Sequence, residues 1–135
     1  QQPAKIQGIQ YETAINTYEF LIKGDEKAIR SLITILLDNA VKYTNERGRI
    51  ERYSREKENR IYLSVFNTTE YISKEQTSRL FDRFYRTDIS RNSQTGGYGL
   101  GLSIAAATAD SHKGKIMAET EDEKSLRITV TFPGQ

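Results

Sequence analysis

The chain has 135 residues, a formal net charge of +2, 36% hydrophobic and 28% charged residues, and no cysteine. That is an ordinary soluble globular composition, long enough for one domain with a real core and too short for two. It excludes a disulfide framework and a thiolate zinc site, and the charge is too small to call for nucleic acid or a membrane surface as partner.

No apolar run approaches the roughly 20 residues that span a bilayer, and no signal peptide is visible. The only methionine is Met117, so the chain is expected to be a fragment of a longer protein. From Ile6 to Asn16 the pattern is weakly strand-like, and Thr17 to Lys23 alternates more clearly up to Gly24. Asp25 then offers an N-cap. Ile29, Leu32, Ile33, Leu36, Leu37 and Ala40 follow the spacing of a buried helical stripe. Gly48 marks a turn, and Arg49–Ser54 and Arg60–Asn67 read as a hairpin around Lys57-Glu58-Asn59. The mixed charges from Arg47 to Arg60 read as the wet face of that hairpin.

A polar stretch containing Phe81, Phe84 and Tyr85 follows, then a nearly apolar-free loop from Thr87 to Thr95. Next comes a helix to about His112, and strands at Lys115–Glu119 and Leu126–Phe132 close the chain. The order predicts an α+β, two-layer sandwich: a mixed, mostly antiparallel sheet with helices packed on one face.

Four glycines, Gly96, Gly97, Gly99 and Gly101, lead straight into the last helix. A helix starting on glycines presents uncovered N–H groups and the positive end of its dipole, which together cradle phosphate. A flexible hinge is the alternative use of the same glycines. No Gly-Lys-Ser/Thr follows, so this is not a Walker loop, and the spacing is not the dinucleotide fingerprint. Asn39, Lys42 and Tyr43 share a face of the first helix. An amide oxygen can ligate Mg²⁺, an ammonium can meet phosphate, and a phenol ring can cover a purine.

Leu36-Leu37-Asp38-Asn39-Ala40-Val41-Lys42-Tyr43-Thr44 resembles the N box of sensor histidine kinases of two-component systems. Phe81-Asp82-Arg83-Phe84-Tyr85-Arg86 resembles their F box, and Gly97-Tyr98-Gly99-Leu100-Gly101-Leu102 their second glycine box. The resemblance runs from about Tyr11 to Pro133 and implies the Bergerat-type fold shared with DNA gyrase, mismatch-repair and chaperone ATPases. By that resemblance the chain is a single catalytic and ATP-binding domain over residues 1–135, with an ATP lid at about 87–98.

The resemblance implies that Asn39 ligates Mg²⁺, that Lys42 contacts phosphate and that Tyr43 neighbours adenine. Gly97, Tyr98, Gly99, Leu100, Gly101 and Leu102 would lie against the phosphates. Asn67, Thr69 and Ile72 would form the adenine side of the nucleotide site, with Phe81 beside the lid. Arg83, Arg86 and Arg91 surround that lid, and Arg86 is favoured to neutralise γ-phosphate charge.

The family's first glycine box reads Asp-x-Gly-x-Gly-Ile; here Asn67, Thr69 and Tyr71 stand for the aspartate and both glycines. Asparagine keeps an acceptor without the charge, while a β-branched residue resists positive φ and adds bulk. Weaker ATP binding than in a standard member is the expectation. Family glycines and a threonine before the last strand are replaced by Glu121-Asp122-Glu123-Lys124-Ser125-Leu126, and Lys113 replaces one of two glycines after His112.

His112, the sole histidine, sits at a helix C-terminus, where a cation is favourable. It is not the family's phosphoacceptor, which belongs to a separate helical hairpin absent here. The implied function is a protein-histidine kinase domain that binds Mg-ATP and passes the γ-phosphoryl group to a histidine on the dimerisation domain of the same protein. The phosphate then goes to a response regulator receiver domain. The full-length protein would be a membrane-anchored homodimer with this domain in the cytoplasm. Two other readings stand beside it: a degenerate nucleotide-binding or interaction module, and a self-contained ATPase in which Asp38 would have to activate water.

Overall fold

Asp25 starts the first described helix. Its Oδ1 accepts from the N–H groups of Lys27 at 2.9 Å and Ala28 at 3.3 Å, satisfying donors that the helix itself leaves open. Helix α1 runs Glu26–Tyr43, with Glu26 in its first turn and Lys42 in its last, each matched to the helix dipole. Its buried residues are Ile29, Leu32, Leu36, Ala40 and Tyr43, while Ile33 and Leu37 of the expected stripe pack at its margin. The computed structural model describes residues 10–13, 25–82 and 101–134. The expected strand at Thr17–Lys23 and the expected lid lie outside the described residues.

The strands are β1 (Gln10–Thr13), β2 (Arg49–Lys57), β3 (Arg60–Thr68), β4 (Lys115–Glu119) and β5 (Ser125–Pro133), and they form one sheet in the order β1-β2-β3-β5-β4. β1 runs parallel to β2, with α1 as the crossover, and every other pairing is antiparallel. Two further helices follow, the one-turn α2 (Lys74–Thr77) and the longer α3 (Gly101–Ser111). The expected two-layer α+β sandwich with a mixed, mostly antiparallel sheet is the architecture found.

The hairpin departs from the expected boundaries. β2 continues to Lys57, which pairs with Arg60, because the turn has only two residues, Glu58 at φ 53° and Asn59 at φ 62°. Two consecutive left-handed residues match the twist of the strands they join.

Alternation then divides the sheet. Ile61, Leu63 and Val65 of β3 face the helices opposite Phe132, Val130 and Ile128 of β5, and all six are buried. Burying such side chains contributes about 1.5–3 kcal/mol each. From above, Leu32 and Leu36 of α1 and Leu102, Ala105 and Ala109 of α3 complete the core. Alanines at the latter positions let α3 lie close to α1.

Helix α3 ends in a Schellman motif, with the Gly114 N–H on the Ala109 carbonyl at 2.8 Å and the Lys113 N–H on the Asp110 carbonyl at 3.0 Å. Lys113 takes the left-handed position at φ 61° that glycine usually fills. Helix α2 had no counterpart in the sequence reading. Four residues carry no apolar stripe, and the element is held by a reciprocal capping box between Ser73 and Gln76.

Candidate functional site

The C-terminal half of α1 carries Asn39, Lys42 and Tyr43. Tyr43 is buried and Asn39 and Lys42 are partly buried. The Nδ2 atom of Asn39 is buried and has no hydrogen-bond partner among the described residues. A buried amide left this way costs roughly 1–3 kcal/mol, so it is found where something else will meet it. The two ends of an amide exchange by rotation, so either the donor or the acceptor can face a ligand.

The start of α3 comes to the same place. A Cβ added to Gly101 would lie 3.6 Å from Cγ2 of Ile35, which is one helical turn before Asn39 on the same face of α1. The first N–H groups of α3 have no acceptor within their own helix. Asn39 thus lies about 6 Å along α1 from the residue that the start of α3 faces. Leu102, the next residue, points into the core at 8% exposure.

Among the described residues no cluster of three or more acidic, histidine or cysteine side chains can hold a metal ion. A divalent cation here would take one amide oxygen, with phosphate and water oxygens completing its shell. That is how Mg²⁺ commonly accompanies nucleotides, and the residues present fit it.

Asn67 lies at the end of β3 on the helix side of the sheet, 2% exposed, donating from Nδ2 to the Thr68 carbonyl at 3.0 Å. Thr69 and Ile72 follow, both buried. Their backbones are fastened to the β4–β5 turn: the Thr69 N–H donates to the Lys124 carbonyl and the Ile72 N–H to the Glu123 carbonyl, each at 2.9 Å. The turn is itself braced by Asp122, whose carboxylate accepts from the Lys124 N–H and from Ser125 Oγ. The Lys124 N–H, and after it the Ser125 hydroxyl, hold the Asp122 carboxyl below the usual range.

Thr69 does not bear the backbone strain expected of it. Among the described residues, the non-glycine ones with positive φ are Arg47, Glu58, Asn59, Lys113 and Glu123. Glu123, at φ 62°, takes the left-handed conformation across the turn instead. Tyr71 is 56% exposed and clashes with nothing in the core. The argument for weaker binding then rests on the bulk of the Thr69 side chain and on the uncharged amide of Asn67.

Below this loop, Thr68 Oγ1 donates to Asn45 Oδ1 and accepts from the Arg49 N–H, both at 2.8 Å. Gly48 is buried within that arrangement, where an added Cβ would lie 2.3 Å from Asn45 Oδ1. The link joins the end of α1 to the end of β3. Phe81 is partly buried and packs against the core. Arg86, Gly97, Tyr98, Gly99 and Leu100 lie outside the described residues, as do Arg83 and Arg91.

Sequence reasoning missed Glu123 and Lys124 as supports of the adenine-side loop, because backbone carbonyls leave no mark in side-chain identity. It also missed α2, for which Ser73-x-x-Gln76 was the available signal.

The family model for the histidine kinase-, DNA gyrase B- and HSP90-like ATPase matches residues 24–135. The sensor histidine kinase YkoH of Bacillus subtilis (strain 168) is 42% identical over 115 residues, covering 85% of this chain and 25% of that protein. The chain spans about a quarter of the length of the curated relatives it matches. Among solved structures, the mycobacterial sensor histidine kinase MprB superposes with a TM-score of 0.83 at 20% identity, covering 99% of this chain and 90% of that one. The histidine kinase ThkA in complex with the response regulator TrrA gives a TM-score of 0.78 at 23% identity, covering 99% and 36%. At those identities the structures speak for the fold, while the family model covers most of the sequence. The chain belongs to the histidine kinase-, DNA gyrase B- and HSP90-like ATPase family.

Proposed function

We propose that this chain is the ATP-binding catalytic domain of a two-component sensor histidine kinase, which transfers the γ-phosphoryl group of ATP to a histidine on a separate dimerisation domain. One observation carries the reading: the unpaired buried amide of Asn39 lies one turn along α1 from Ile35, the side chain that the glycine opening α3 faces. Anion-binding N–H groups and a metal-binding amide are what phosphoryl transfer needs from a protein, because that chemistry runs on positioning and charge stabilisation.

In this reading Asn39 is the Mg²⁺ ligand, Lys42 meets phosphate and Tyr43 borders the adenine. The Mg²⁺ supplies charge neutralisation on the phosphates when bound. Gly97 to Leu102 lie along the phosphates, the lid spans about 87–98, and Arg86 faces the γ-phosphate. Asn67 offers its amide to the adenine edge, with Thr69 and Ile72 beside it and Phe81 beneath the lid. The bulk of Thr69 lowers affinity relative to a glycine.

Residues 1–135 act as one domain, and its partners are the dimerisation domain and a response regulator receiver domain. ThkA is captured with its response regulator, which supports the second partner by likeness of fold. No described helix is long and apolar enough to cross a membrane. In this reading the full-length kinase is a membrane-anchored homodimer with this domain in the cytoplasm.

Calorimetric titration with ATP, with and without Mg²⁺, tests the reading. Binding that depends on Mg²⁺ and is lost in Asn39→Ala is the expected result, with stability changed by no more than about 1 kcal/mol because an unpaired amide is removed. Absence of binding at millimolar nucleotide would overturn it in favour of a degenerate module. Sustained hydrolysis without any acceptor would point to a self-contained ATPase, although Asp38 is solvent-exposed.

A further inference from the structure

The sheet has a second face, and no described helix packs on it. Alternation from the core positions places Arg49, Arg55, Lys57, Arg60, Arg127 and Lys115 there, against the carboxylates Glu51 and Glu119. A chain whose formal charge is +2 in total therefore concentrates cations on one side of its sheet.

These cations are held mainly by rings. The Arg55 guanidinium lies 4.9 Å from the centroid of Tyr62, and Arg127 lies 5.1 Å from Phe66 and 5.9 Å from Tyr53. Arg127 also donates to Ser64 Oγ at 3.3 Å. The face has one ion pair among the described residues, Arg49 with Glu51, and the Tyr53 hydroxyl occupies the other oxygen of that carboxylate. A guanidinium set against a ring keeps its plane fixed while its N–H edge stays available for an anion. Tyr53, Arg55, Tyr62, Ser64, Glu119 and Arg127 border a trough of about 500 Å³. Beside it Met117 is 59% and Tyr53 39% exposed, so apolar contact is available at the same place.

We propose that this open face is a docking surface for an acidic segment of a partner protein, whose carboxylates meet Arg55 and Arg127 while an apolar side chain enters the trough between Tyr53 and Tyr62. The charge pattern selects this occupant. A second copy would set cations against cations. A nucleic-acid backbone would meet Glu51 and Glu119 along the strip it must follow, and a flat anionic membrane does not fill a trough. A short acidic peptide can place its charges on the arginines and step past both glutamates.

The test is fluorescence anisotropy of the 135-residue chain with a labelled 12-residue glutamate-rich peptide carrying one central phenylalanine. Controls are its lysine counterpart, an oligo-dT strand and anionic lipid vesicles. The expected result is binding of the acidic peptide alone, weakening as salt rises, and reduced roughly tenfold by Arg55→Glu or Arg127→Glu. Arg30→Glu, an equal charge change on the exposed side of α1, should leave it intact. Thermal melts establish that each variant is folded, and Arg55→Glu, on an exposed side chain, keeps the test open if Arg127→Glu unfolds. No binding at low salt, or equal loss with Arg30→Glu, would overturn the proposal. Preference for oligo-dT or for vesicles would overturn it in favour of those partners. ATP titration of the same variants should be unchanged, so this inference and the nucleotide reading fail separately.

Discussion

The backbone N–H of Asp25 donates to Nε2 of His112 at 3.2 Å, joining residues 87 apart in sequence. Nδ1 of the same ring lies 2.8 Å from the Thr108 carbonyl, so Nδ1 carries the proton and Nε2 is the acceptor. The ring also meets Phe132 edge-on, with centroids 6.2 Å apart. His112 thus acts as a clamp between the start of α1 and the end of α3.

Replacing His112 by alanine removes that acceptor and uncovers the edge of Phe132. The expected loss is about 1–3 kcal/mol, read from urea denaturation midpoints. His112→Gln, which keeps a side-chain acceptor, should recover part of it. Equal losses in the two variants would assign the effect to ring packing alone.

Two glycines give opposite outcomes. Gly48→Ala drives a methyl to 2.4 Å from Thr68 Oγ1 and 2.5 Å from Thr44 Oγ1, and should destabilise by about 1–3 kcal/mol. Among the described residues Gly101→Ala meets only Ile35, at ordinary contact distance, and it should raise the melting temperature because alanine is the better helix former. If phosphate approaches this helix start, the same Gly101→Ala variant will bind ATP more weakly despite its greater stability.

Lys113 occupies a left-handed backbone position at the Schellman motif, which costs a non-glycine residue of order 1 kcal/mol. Lys113→Gly should relieve that cost and raise the melting temperature by a few degrees. Gly114→Ala should do the reverse, since its Cβ would lie 2.4 Å from the Thr131 carbonyl.

Acid should unfold the domain through identifiable carboxylates. The Tyr53 hydroxyl, with Arg49 and Arg127 adding to it, holds the Glu51 carboxyl below its ordinary value, and the Lys124 N–H does the same for Asp122. Carboxyls with depressed folded-state values bind fewer protons folded than unfolded. Their stabilisation is therefore complete above the ordinary carboxylate range and is lost as pH falls through the lower folded values, below about pH 4. Melting temperature measured against pH should fall there less steeply in Glu51→Gln and Asp122→Asn than in the parent chain.

Most of the architecture was legible because periodicity and burial agreed. The spacing of Ile29, Leu32, Leu36 and Ala40 located α1, and β4 was expected with the bounds found, Lys115–Glu119. The hairpin was misjudged at Ser54 because β2 beyond it is all charged, and cross-strand pairing to Tyr62, Ile61 and Arg60 keeps it extended. At the site, Asn39 and Gly101 were legible as residue types suited to phosphate chemistry. Their proximity through Ile35 depends on how α3 packs on α1, which spacing within either helix does not state. Thr69 was misread because its backbone angle is decided by partners on a turn more than fifty positions away.

That last contact ties together two departures from the family pattern. The loop that lacks the first glycine box and the turn that lacks its glycines before β5 hold each other through Thr69–Lys124 and Ile72–Glu123. Two backbone hydrogen bonds between them predict that they exchange as a single cassette. Grafting a glycine-rich loop alone, or a glycine-rich turn alone, would pair one half with a partner shaped for the other. Only the double graft would restore a matched set.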